Sequence, residues 1–205
     1  MKQADPMPPV VKKPRHIREL GRVDISGLAP LVGAVSERTW AREDALKEND
    51  FDCFHHTRHI VFRFIRNNRN PLDHYSSPAW DAWKDRLLPV IEAACACYGF
   101  DEPIVPKVML ARLSAGHSID LHRDGAGSNP RTHKIHVPLI TNEQAFFTFE
   151  DAAFHLARGV AYEVNNLTRH GGRNGGDNDR VHLIFEVFEG AGFTRRERDV
   201  TALDA

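Results

Sequence analysis

The chain is short of cysteine, has no long apolar run and carries almost no net charge, and each shortage closes off a class of protein. Its three cysteines, Cys53, Cys95 and Cys97, cannot all pair within one chain, and none stands in a C-x-x-C spacing. A disulfide scaffold is therefore excluded, and reduced thiols in a reducing compartment, the cytoplasm, are expected. No apolar stretch approaches the roughly 20 residues needed to cross a bilayer, so no membrane association is expected. The opening segment, with Pro6, Pro8, Pro9, Lys12, Lys13 and Arg15, lacks the apolar centre of a secretory signal. A formal net charge of -1 supplies no long-range field for nucleic acid, and no such partner is expected. There is no internal repeat and no low-complexity tract.

What remains is an ordinary globular composition, 41% hydrophobic over 205 residues, enough for one domain with a sizeable core. Residues 1–16 read as a flexible tail, 17–190 as a single domain, and 191–205 as a second tail. Within the domain a helical layer is expected over 26–99. Its clearest helix starts at Ser77-Pro78, a cap followed by proline in the first turn. Beyond it, short β-rich runs alternate with turn residues: 105–113, 118–122, 134–140, 146–150, 153–156, 160–165 and 180–188. That spacing predicts an antiparallel sandwich or barrel over 104–189 rather than a parallel sheet. On the run 134–140, Lys134 and His136 share one face and Ile135, Val137 and Leu139 the other.

The chain is rich in histidine, with 12, and position decides which of them matter. His122 and Asp124 stand two apart at the end of a predicted strand, so their side chains project to one side. His170, from a later part of the β region, supplies a third donor. Two imidazoles and one carboxylate on one face leave three positions open, the arrangement expected for iron(II) that must bind a chelating cosubstrate and dioxygen. Cysteine ligands are absent, which disfavours structural zinc. Arg180 follows His170 by ten residues, after a Gly- and Asn-rich stretch (171–179) that reads as a turn. Its guanidinium suits a bidentate grip on a carboxylate, such as the distal end of 2-oxoglutarate.

These blocks resemble the aspartyl/asparaginyl β-hydroxylase family of 2-oxoglutarate- and iron(II)-dependent oxygenases. The resemblance runs from about Trp40 to Glu189. It is carried by R-L-S-A-G-H-S-I-D-L-H-R-D-G (112–125), H-V-P-L-I-T-N (136–142), F-H-L-A-R-G-V-A-Y-E-V-N-N (154–166), H-G-G-R-N (170–174) and R-V-H-L-I-F-E-V (180–187). It implies a mainly β fold with N-terminal helices, built on a double-stranded β-helix, the jelly roll of the cupin-like proteins. It also implies a dioxygenase that converts 2-oxoglutarate to succinate and carbon dioxide while hydroxylating an unactivated carbon. Carried over by position, His122, Asp124 and His170 are the catalytic metal ligands and Arg180 binds the cosubstrate. His136 matches a position that helps to hold the cosubstrate, and Lys134 stands where relatives often carry arginine. With Asp124 present, the chain resembles the bacterial branch with a complete triad.

The expected substrate is an amino-acid residue of the Asp/Asn type in a peptide or protein, or a free amino acid. Arg58, Arg112 and Arg131 are candidates to receive its carboxylate. His182 reads as an interior histidine, and the run His55, His56, Arg58, His59 as a metal box on paper only. Two other readings stay open: a non-catalytic metal-binding module, and a cupin-like metalloenzyme that does not use 2-oxoglutarate.

Overall fold

A computed structural model describes residues 6–47 and 52–193. Among the described residues, eleven strands are laid out in two sheets that face each other. They are β1 (Ile17–Arg22), β2 (Thr57–Ile65), β3 (His74–Ser76), β4 (Pro103–Leu113), β5 (Ser118–His122), β6 (His133–Ile140), β7 (Ala145–Phe149), β8 (Ala153–Phe154), β9 (Val160–Val164), β10 (His170–Asn174) and β11 (Arg180–Glu189). The larger sheet runs β1-β9-β6-β11-β4-β2-β3 and the smaller β5-β10-β7-β8, with antiparallel pairing throughout. This is the jelly-roll architecture.

Strand alternation sorts the side chains of the central strands between two layers. Ile135, Val137 and Leu139 of β6, and Val181, Leu183, Phe185 and Val187 of β11, turn outward into one core with Val108 and Leu110 of β4. That core is closed by helices α1 (Ala29–Gly33), α2 (Glu37–Asp44) and α3 (Pro78–Cys95), which contribute Val32, Trp40, Leu87 and Ile91. The opposite faces of the same strands look at the small sheet and carry Lys107, His136, Arg180, His182 and Glu186, all buried. Central strands with both faces covered explain why these runs contain so few exposed positions.

Three sequence expectations need correction. Residues 6–16 do not hang free of the fold. Pro8 is buried, Val11 N–H donates to the Pro130 carbonyl at 2.9 Å, and Lys13 Nζ donates to the Thr132 carbonyl and to Asn166 Oδ1 at 2.8 Å. Ser77 precedes α3 as expected, but its hydroxyl donates to the Val61 carbonyl at 2.6 Å instead of capping the helix. The stretch read as a turn after His170 opens with β10, paired to both β5 and β7. Glycine is required there by close approach: a Cβ at Gly171 would sit 2.5 Å from the Ile119 carbonyl oxygen. The tail expected over 191–205 falls, from residue 194, outside the described residues. Among the described residues no helix is long and apolar enough to cross a membrane.

Candidate metal centre and cosubstrate cavity

His122 ends β5 and His170 begins β10, and the two are direct cross-strand partners. Their rings lie 4.5 Å apart between centroids. Asp124 follows on the loop out of β5, which is fixed by its N–H donating to the Asn166 carbonyl at 3.1 Å. One donor atom from each of the three residues falls within 4.8 Å of the others. Each imidazole is oriented from behind: His122 Nδ1 is 2.8 Å from the Asp120 carbonyl, and His170 Nδ1 is 2.9 Å from that of Thr168. A carbonyl only accepts, so both Nδ1 atoms carry a proton, and Nε2 is the atom each ring can offer to a metal. Those Nε2 atoms lie 3.6 and 3.8 Å from the same oxygen, Asp124 Oδ1. The other oxygen, Oδ2, is taken by Lys134 Nζ at 2.5 Å and Asn166 Nδ2 at 3.0 Å. Three free donor atoms therefore converge, each held by a partner on its far side, which is how a metal site is organised.

Burial alone would raise the Asp124 carboxyl, but the Lys134 ammonium and the two imidazoles hold it well below its ordinary value. Burial pulls His170 down to about 4. At neutral pH the set is one carboxylate and a neutral His170, the protonation states a divalent cation needs.

The donors open on a cavity of about 310 Å³ between the sheets. Deep in it lies Arg180, 3% exposed, beneath Gly172, where a Cβ would come within 3.1 Å of the guanidinium. Among the described residues Arg180 Nε has no hydrogen-bond partner, and burial lowers the guanidinium to about 10. No carboxylate of the described residues pairs with it, so the protein has left a buried cation uncompensated. His136 lines the same cavity between Phe147 and His182, and its Nε2 is also buried without a partner. An anionic ligand with a hydrogen-bonding carboxylate fits these orphaned groups.

The sequence model of the aspartyl/asparaginyl beta-hydroxylase family matches residues 84–189, just over half of the chain and every strand of the cavity except β2. The chain belongs to that family. No curated protein matches the sequence. Among solved structures, the chain is similar to a 2OG-Fe(II) oxygenase family oxidoreductase from Burkholderia pseudomallei, with 15% identity and a TM-score of 0.51 over 86% of this chain and 93% of that one. It is also similar to the non-heme monooxygenase ThoJ, with 15% identity and a TM-score of 0.51 over 85% and 74%. At such identity the likeness speaks for the fold alone.

In this family member the three arginines expected at the substrate mouth do not reach the cavity. On β2 and β4 it is Thr57, His59, Met109 and Ala111 that line it, so Arg58 and Arg112, one residue out of step, face away. Both pair with Glu37 of α2, and Arg112 also lies over the Trp40 ring. Arg131 is bound to the Pro8 carbonyl of the N-terminal arm. Lys134 is in the cavity wall, but its ammonium is engaged by Asp124 rather than waiting for a ligand. His59, which the sequence groups with a metal box on paper only, lines the cavity, with Asp44 Oδ1 3.5 Å from its Nδ1. Strand parity was the signal for it, once the burial direction of Ile60 and Phe62 is known.

The buried histidines make the metal-free protein acid-sensitive. Burial holds His136 and His182 well below the usual imidazole range, with Arg180 adding to it in both, while unfolded histidine titrates near 6.5. Below about pH 6.5 the unfolded chain gains protons that these sites refuse, so stability falls as pH falls, down to about 4 for His170. Each group contributes up to about 1.4 kcal/mol per pH unit. Thermal unfolding of the metal-free protein is expected to occur several degrees lower at pH 5 than at pH 7. An unchanged midpoint would show that the three imidazoles are not held neutral.

Proposed function

We propose that the chain is a 2-oxoglutarate- and iron(II)-dependent dioxygenase that hydroxylates an unactivated carbon of an amino-acid residue, in a peptide or protein, or of a free amino acid. The observation that carries this reading is Arg180: a buried guanidinium without a counter-ion among the described residues, in the same cavity as a two-histidine, one-carboxylate donor set. His122, Asp124 and His170 would hold iron(II), and with dioxygen the bound metal supplies the oxidation that turns 2-oxoglutarate into succinate and carbon dioxide while a C–H bond becomes C–OH.

The residues of the chain do the rest. Arg180 receives the distal carboxylate of the cosubstrate, and His136 stands beside it as a further hydrogen-bonding group. Lys134 and Asn166 fix which oxygen of Asp124 is free and keep the carboxylate ionised. Phe147 stacks on His170 at 5.5 Å and closes the wall behind that ligand. A plain metal-binding module, or a cupin-like enzyme working without 2-oxoglutarate, gives Arg180 nothing to bind. Iron(II)-loaded protein in air is expected to convert 2-oxoglutarate to succinate, even slowly and without substrate. Absence of iron-dependent succinate would overturn the reading.

A further inference from the structure

Arg180 accounts for one end of the cavity; the other end carries a second cation whose surroundings also suit a carboxylate. Lys107 of β4 is 6% exposed and lines the cavity six residues from Leu113, the partner of Arg180 across the sheet. That is roughly 20 Å of strand. Its ammonium donates to Asn68 Oδ1 and Glu186 Oε1, both at 2.8 Å, and lies 5.0 Å from the Phe64 ring. An ammonium has three donors, so one remains for the cavity. Lys107, Glu186 and Lys134 form one row across three strands. Lys107 therefore stands two strand spacings, roughly 10 Å, from the lysine that holds Asp124.

Asn68 lines the cavity beside Lys107 and is held there by unusual backbone. Asn67 and Asn68 both adopt left-handed conformations, with φ of 52° and 53°. The Asn68 carbonyl accepts from Ser128 N–H at 2.9 Å, and a Cβ at Gly127 would collide with that oxygen. Asn68 Oδ1 is occupied by Lys107 and, at 3.1 Å, by the Ser128 hydroxyl, which leaves its Nδ2 as a donor without an acceptor among the described residues.

The charge balance points the same way. Lys107, Arg123, Lys134 and Arg180 line the cavity, with Asp124 paired to Lys134 and the buried Glu186 paired to Lys107, so two more cations than carboxylates gather there. A divalent metal and a dianionic cosubstrate cancel each other, so the loaded cavity keeps positive charge to be matched. We infer that Lys107 and Asn68, rather than the arginines of β2 and β4, anchor a carboxylate of the substrate. The inference rests on the oxygenase reading.

The test uses the whole protein loaded anaerobically with iron(II) and 2-oxoglutarate. Calorimetric titration with the twenty free amino acids and with blocked aspartyl and glutamyl peptides is compared with titration by their carboxamides. The acid of at least one pair is expected to bind about tenfold or more tightly than its amide, as a charge-assisted hydrogen bond requires. That preference is expected to vanish in Lys107→Met and in Asn68→Gly while 2-oxoglutarate still binds. Asn68→Gly keeps the fold, because glycine takes the left-handed backbone freely. A preference that survives both substitutions overturns the anchor, as does a loaded protein that binds none of the acids. Failure of 2-oxoglutarate to bind the unmodified protein removes the oxygenase reading and the anchor together.

Discussion

Asp124→Ala is expected to abolish turnover and to weaken iron(II) binding by more than the ~10- to 100-fold typical of losing a supporting partner. It removes both the only carboxylate of the donor set and the atom on which two imidazoles converge. The structure adds a consequence for stability. Lys134 is 16% exposed at its side chain and has Asp124 as its ion-pair partner, so the alanine strands a largely buried cation. A cost of about 2 kcal/mol is expected, between that of an exposed pair and that of a fully buried one. The double change Asp124→Ala/Lys134→Met separates the two effects: it is expected to recover the stability and none of the metal binding. Recovery of both would show that Asp124 is a structural partner of Lys134 and not a ligand.

Arg180→Met is expected to move cosubstrate affinity and stability in opposite directions. Loss of a charge-assisted bidentate contact costs about 2–3 kcal/mol, so the 2-oxoglutarate requirement should rise on the order of 30- to 150-fold. The ligand-free protein, by contrast, is expected to become more stable. Its buried guanidinium has no counter-ion among the described residues to lose, and methionine fills a similar space without desolvation cost. A gain of about 1 kcal/mol corresponds to a rise of about 2–4 °C in Tm for a chain of this size. This trade of stability for binding is the mark of a residue kept for its ligand. A destabilised variant with unchanged affinity would assign Arg180 to the core.

How far the sequence reached depended on which physical signal each residue sends. Alternation and turn residues located β4 to β9 and β11, because those strands keep their own period and are bounded by glycine, asparagine and proline. β10 sends the opposite signal. His170-Gly171-Gly172-Arg173-Asn174 has turn composition, yet it is a strand between two partners, and its glycines answer to the Ile119 carbonyl rather than to a bend. Charge alone suggests Arg58 and Arg112 for the substrate mouth, but strand parity sends them to Glu37 on the helical side. The prolines and lysines of the N-terminal arm read as a solvated tail. Its anchoring by Pro130, Thr132 and Asn166 is a long-range contact that local composition does not carry. Lys134 is an instructive case: its face was legible from alternation, while its partner, Asp124, depended on how the 123–132 loop folds back.

The central claim is that one cavity holds a metal on His122, Asp124 and His170 and a keto acid chelated to it with its far end on Arg180. Anaerobic titration of the metal-free protein with iron(II), then with 2-oxoglutarate, tests this directly through the visible absorption band of the chelate. The account predicts a band that saturates at one equivalent of iron, disappears in His170→Ala, and needs far more 2-oxoglutarate in Arg180→Met. Iron binding without any such band would contradict it.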